Sequence, residues 1–125
     1  MSGTVPIMRL GDTLLLSLQG DLDDATILRI ESEITNEVAR QRTTGTLIDV
    51  SGLLIVDSFI ARVLARIVGM VQLLGSEAAL VGIQPAVAIT LVELGVPMGN
   101  LHTALNAETG LALLRNLRHD GPGST

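Results

Sequence analysis

Residues 53–75 read LLIVDSFIARVLARIVGMVQLLG. An apolar run, Leu53 to Val56, ends at Asp57-Ser58, and a helical pattern begins there. Counted from Ser58, the residues Ile60, Leu64, Ile67, Val71 and Leu74 recur at spacings of three and four and form one apolar stripe. Ser58, Arg62, Arg66, Gly69 and Gln72 form a polar stripe roughly opposite, so Ser58 is expected on the exposed side of the first turn. Phe59, Val63 and Met70 make a second apolar stripe, which is either core packing or a surface for a partner. The expected junction is strand into helix, with the helix running from about Ser58 to Leu74.

Working outward, the same alternation continues on both sides. Val5 to Leu10 and Thr13 to Gln19 read as two strands joined by a Gly11-Asp12 turn. Gly20 ends the second strand, and the acidic group Asp21, Asp23 and Asp24 suits a helix start. Ala25 to Arg42 has helical spacing through Ile27, Ile30, Ile34 and Val38, with Arg29 and Glu33 four apart on a more polar side. Thr46 to Val50 is a third strand, and Ser51-Gly52 is expected to interrupt it before Leu53. After the central helix, Glu77 to Ile83 reads as a strand and Pro85 suits the first turn of a helix over Ala86 to Leu94. Pro97 and Gly99-Asn100 mark a loop, Leu101 to Leu105 a short strand, and Asn106 caps a last helix, Ala107 to Leu117, weakened by Gly110. The order β-β-α-β-α-β-α-β-α predicts an α/β domain with a mixed, mostly parallel sheet and about four helices packed on it. One domain is expected over residues 1–119, with a flexible tail over 120–125.

Composition narrows the function. The chain has 125 residues, a formal net charge of -5, and 8 basic residues, all arginine. Phe59 is the only aromatic residue, so the basic surface and stacking rings that nucleic-acid binding uses are missing. Cysteine is absent, which excludes disulfides and thiolate chemistry. Residues 1–12 lack the basic start and apolar core of a signal peptide. Residues 53–75 and 78–98 are apolar enough to test as membrane spans. The first carries Asp57, Arg62 and Arg66, and the second Gln84, Pro85, Thr90 and Glu93, so neither is a good span. The expectation is a cytoplasmic protein without membrane or nucleic-acid contact. Its hydrophobic fraction of 47% is high for its size, which points to a buried sheet and to self-association or association with other subunits.

Candidate chemistry is sparse. His102 reads as a strand residue and His119 as part of the tail, with no HxH or HxxxH metal spacing. No GxSxG, GxxxxGK[ST] or GxGxxG occurs, so no hydrolase or nucleotide motif is present and no cofactor or metal is expected. Asp23, Asp24 and Asp49 resemble the acidic pocket of a phospho-aspartate receiver, but the receiver's lysine is absent and a hairpin precedes the acidic pair. Asp57-Ser58 is open to two readings. One is helix capping, worth about 1 kcal/mol. The other is a phosphate acceptor: a phosphate on Ser58 adds about -1.5 to -2 charge near free helix amides, with Arg62 one turn on to pair with it and Asp57 to repel it.

The order of elements and Asp57-Ser58 at the start of the central helix resemble the STAS domain of bacterial anti-sigma-factor antagonists. Where those domains usually have Ser/Thr-Gly, this chain has Phe59-Ile60. VDSFIARVL, residues 56–64, and GIQPAVAITLVELG, residues 82–95, resemble the RsbS-type scaffolds of the stressosome, as do Asp21 to Asp24 and Thr103 to Leu105. The resemblance covers the chain apart from the tail. It implies a protein that is not an enzyme and that co-assembles with RsbR-like STAS proteins. It further implies that the assembly holds an RsbT-like serine kinase of the GHKL ATPase type, which phosphorylates Ser58 on stress and is released. An RsbX-like phosphatase resets the site. Asp57, Phe59, Ile60 and Arg62 are then expected to contact partners, and the stretch Gln84 to Glu93 is either contact surface or core helix. A simple anti-sigma-factor antagonist phosphorylated on the same serine is the alternative, and a small-ligand or nucleotide-binding domain has no residue in its favour.

Overall fold

The computed structural model describes residues 7–20, 22–53, 55–95 and 101–119. Its elements are β1 (Ile7–Leu10), β2 (Thr13–Gln19), α1 (Asp24–Gln41), β3 (Gly45–Gly52), α2 (Ser58–Leu73), β4 (Glu77–Val81), α3 (Pro85–Glu93), β5 (His102–Ala104) and α4 (Ala107–His119). The expected order of strands and helices is the observed one. Val5, Leu54, the loop over Pro97 and Gly99-Asn100, and the tail over 120–125 lie outside the described residues.

The five strands form one sheet in the order β1-β2-β3-β4-β5. β1 and β2 are an antiparallel hairpin, with Ile7 opposite Leu16 and Leu10 opposite Thr13. The other neighbours are parallel, and Gly45 of β3 lies opposite Thr13 on one side and Glu77 on the other. Alternation along the strands sorts side chains between two layers. Leu14, Leu16, Leu18, Ile48 and Val50 join the core made with α1, α2 and α3. Leu47, Ala79 and Val81 face the opposite way and pack under Leu114 of α4.

Helix boundaries follow local chemistry. α1 starts at the Asp23 cap and stops where Arg42 turns left-handed, at φ 52°, with its N–H still bonded to Val38 O at 3.0 Å. Hydrogen bonds from Thr26 hold the Asp23 carboxyl below the ordinary carboxylate range. That stabilisation is therefore present above the unfolded-state pKa and lost as pH falls through the lowered one. α4 starts at Asn106, whose Oδ1 accepts from Thr109 N–H at 2.9 Å, and continues to His119, two residues beyond the expected end.

Two expectations are corrected. Ser51-Gly52 does not interrupt the third strand: β3 runs through both, because Gly52 still pairs with Gln19 of β2. Leu53, Ile55 and Val56 are not strand. Leu53 N–H instead donates to Val50 O at 2.9 Å and turns the chain out of the sheet. Gly110, in contrast, has a packing reason to sit inside a helix. A Cβ there would stand 2.6 Å from Val81 Cγ1 and 2.7 Å from Leu47 Cδ1, both buried under α4. Gly110→Ala is expected to lower the denaturant midpoint, although alanine favours a helix by about 1 kcal/mol in isolation. A midpoint equal to or above wild type in urea unfolding contradicts this packing account.

Candidate phosphoacceptor site

α2 is held by its apolar side. Ile67 and Val71 are fully buried against the sheet, and a side chain of this kind contributes about 1.5–3 kcal/mol when covered. Arg66 adds a tie to the neighbouring helix, its Nη2 standing 2.6 Å from Glu31 Oε1 on α1. Glu31 is almost fully buried, and its Oε2 has no partner among the described residues. This pair escapes a reading of α2 alone. A signal for it does exist: Glu31 stands four after Ile27 and three before Ile34, a charge on the buried stripe of α1.

The approach to α2 is fixed at its two ends. Leu53 and Val56 are buried, at 1% and 7% exposure, and Asp57 follows in extended geometry at φ -80° and ψ 174°. The Asp57 carboxylate accepts from Ile60 N–H at 2.8 Å, and its carbonyl accepts from Ala61 N–H at 3.0 Å. Asp57 is therefore the cap, and Ser58 is the first helical residue. Ser58 is exposed, as the polar stripe requires, and its hydroxyl makes no hydrogen bond to any described residue. The first-turn amides of Ser58 and Phe59 have no intrahelical acceptor, so a phosphate on the Ser58 hydroxyl would stand where helix geometry favours an anion.

The surrounding residues divide sharply. Arg62 is exposed and forms no ion pair among the described residues, whereas Arg66 of the same stripe is engaged with Glu31. Phe59 is half-buried against the main core. Ile60, expected among the partner contacts, is only 3% exposed and packs in the main core. Val63 is buried and Met70 half-buried, with Met70 Sδ 3.8 Å from Thr35 Oγ1, so the second apolar stripe is core packing.

The other candidate groups stay apart. Asp23 caps α1, and Asp49 accepts from Ser51 N–H and Oγ at 2.9 and 2.7 Å. Among the described residues no three acidic or histidine side chains come together as a metal site. His102 lies on β5 with its Nε2 3.1 Å from Glu77 Oε1. No described helix is long and apolar enough to cross a membrane. α3 is divided: Val87 and Leu91 are buried, while Ile89 and Val92 are exposed.

Residues 5–108 match the profile of the STAS domain. The chain is similar in structure to the S58E variant of RsbS from Moorella thermoacetica, at 37% identity and a TM-score of 0.85, over 94% of this chain and 99% of that one. A chain from a structure of the stressosome, described as a signal integration and transduction hub, matches at 38% identity and a TM-score of 0.81, over 90% of this chain and 98% of that one. In sequence the chain is 32% identical over 107 residues to RsbRB of Bacillus subtilis, named as an RsbT co-antagonist protein, covering 85% of this chain and 39% of the relative. The four such Bacillus relatives are longer proteins, of which the chain spans 29% to 40%.

Capping by Asp57 and not Ser58 has a measurable consequence. Asp57→Ala is expected to lower unfolding free energy by about 1 kcal/mol. Ser58→Ala is expected to stay within about 0.5 kcal/mol of wild type. Equal losses in the two variants, read by urea titration, contradict this division of roles.

Proposed function

The chain belongs to the STAS domain family, and on that premise we propose that it is a non-enzymatic stressosome scaffold whose switch is phosphorylation of Ser58. It co-assembles with RsbR-like STAS proteins and holds an RsbT-like serine kinase. Phosphorylation of Ser58 releases the kinase, and an RsbX-like phosphatase restores the binding state.

The observation that carries this reading is the division of labour at the start of α2. Asp57 satisfies the helix end, which leaves Ser58 exposed with no structural hydrogen bond to give up. The Moorella relative carries its serine-to-glutamate substitution at the same sequence number, a replacement that introduces negative charge where a phosphate would. The names of the Bacillus relatives, RsbT co-antagonists, support the choice of kinase.

The physical effect of the phosphate is a change of surface, not of fold. Arg62 is exposed, so an ion pair with the phosphate contributes about 0.2–1 kcal/mol. That is enough to orient the group and too little to rearrange a helix anchored by several buried aliphatic residues. Asp57 beside it keeps the local charge strongly negative. A partner that covers Ser58, Asp57 and the edge of Phe59 in the unmodified state then meets a phosphate whose charge a single exposed arginine only partly offsets. Loss of that partner follows from the cost of burying the charge.

Incubation with an RsbT-like kinase and ATP is expected to put phosphate on Ser58, read by mass spectrometry, and none on the Ser58→Ala variant. Mixing the unmodified chain with an RsbR-like protein is expected to give a large species on size-exclusion chromatography that retains the kinase. Ser58→Glu is expected to assemble and to retain at least tenfold less kinase. Phosphate only on other residues overturns the site, and components that stay separate and small overturn the scaffold.

A further inference from the structure

Between β3 and α2 the chain is held at two points, Leu53 and Val56, both buried in the main core. Ile55 lies between them and is 87% exposed. A single exposed aliphatic side chain is ordinary on a protein surface. Leu73, the last residue of α2, is equally exposed at 88%. What separates the two is place. Ile55 precedes Ser58 by three residues, a span of at most about 11 Å even if fully extended. Leu73 stands fifteen residues beyond Ser58 on the same helix, about 22 Å away at the helical rise.

An enzyme that brings a phosphate donor to the Ser58 hydroxyl comes within reach of the exposed residues next to it, Ile55 and Asp57 among them. In that position it either covers Ile55 or leaves it against solvent at the margin of the contact. We propose that Ile55 is the apolar anchor by which the serine kinase docks, seated in a hydrophobic pocket beside that kinase's phosphotransfer site. The inference rests on the functional reading given above. The exposed neighbours Asp57 and Ser58 are polar, so Ile55 is the exposed aliphatic side chain among residues 55–58. Ile55 precedes Val56, which is buried, and Asp57, which caps α2, so the chain on its C-terminal side is ordered before docking. A few well-packed side chains near the centre of an interface carry most of its binding energy.

The test is initial-rate phosphorylation of the purified chain by an RsbT-like kinase with ATP, as a function of chain concentration. Ile55→Asn is expected to raise KM about tenfold, equivalent to about 1.4 kcal/mol, with kcat little changed. Ile55→Leu is expected to recover most of the loss, and Leu73→Asn to behave as wild type. Because Ile55 is exposed, Ile55→Asn is expected to melt with the wild-type transition, measured by circular dichroism. A wild-type KM for Ile55→Asn with phosphate on Ser58 overturns this inference alone. Ile55→Asn that alters assembly with an RsbR-like chain but not KM also overturns it, since the side chain is then covered by a subunit and not by the kinase. Absence of phosphate from Ser58 in the wild-type chain overturns this inference together with the functional reading beneath it.

Discussion

A parallel sheet exposes apolar side chains on both faces, and the chain has to cover both with what its crossovers supply. Among the described elements α1, α2 and α3 pack on one face and α4 alone on the other. The rest of the architecture depends on that unequal cover. The single helix has to lie close to the sheet, which is why Gly110 stands where any side chain would strike Val81 and Leu47. α4 packs over β3, β4 and β5, and on β1 the side chains of Met8 and Leu10 remain exposed. Because successive crossovers run the same way, the starts of all four helices gather at the carboxyl end of the strands, and Ser58 is among them.

At that end of the sheet, two adjacent polar residues have different jobs. Asp57 has a carboxylate of the right length to reach the Ile60 amide from the cap position, and it does so. Ser58 is one residue too late to cap and so has no part in holding the helix. A side chain in this state can be modified without loss of a structural bond. A side chain engaged as Glu31 is, buried and paired with Arg66, cannot change charge without leaving the other group of the pair uncompensated. The arrangement therefore separates what holds α2 in place from what its surface displays. A switch that acts by partner choice requires that separation, since the domain has to stay folded in both states.

The Glu31–Arg66 pair also explains why the two arginines of the polar stripe are not equivalent. Periodicity put Arg62 and Arg66 on one face with equal standing. Packing of α1 against α2 brings Glu31 to Arg66 and leaves Arg62 with no partner of its own among the described residues. Only the cation nearer to Ser58 remains available to a new anion.

Local chemistry written in the sequence determined the elements: the Gly11-Asp12 turn, the caps at Asp23 and Asn106, Pro85 at a helix start, and the three-and-four spacing of α2 that turned Ser58 outward. It also put Ile60 on the apolar stripe, and Ile60 is buried in the core. Motif likeness marks which residues lie near a function; burial decides which of them can be touched. What only the tertiary structure decided were matters of distance between segments remote in sequence. β3 reaches Gly52 because Gln19 is there to pair with it, the chain leaves the sheet at Leu53 where its N–H bonds to Val50 O, and Gly110 is required by two side chains on neighbouring strands. The exposure of Ile55 belongs to the same class. In sequence it is one apolar residue within an apolar run, and only the burial of Leu53 and Val56 on either side shows that it was left facing solvent.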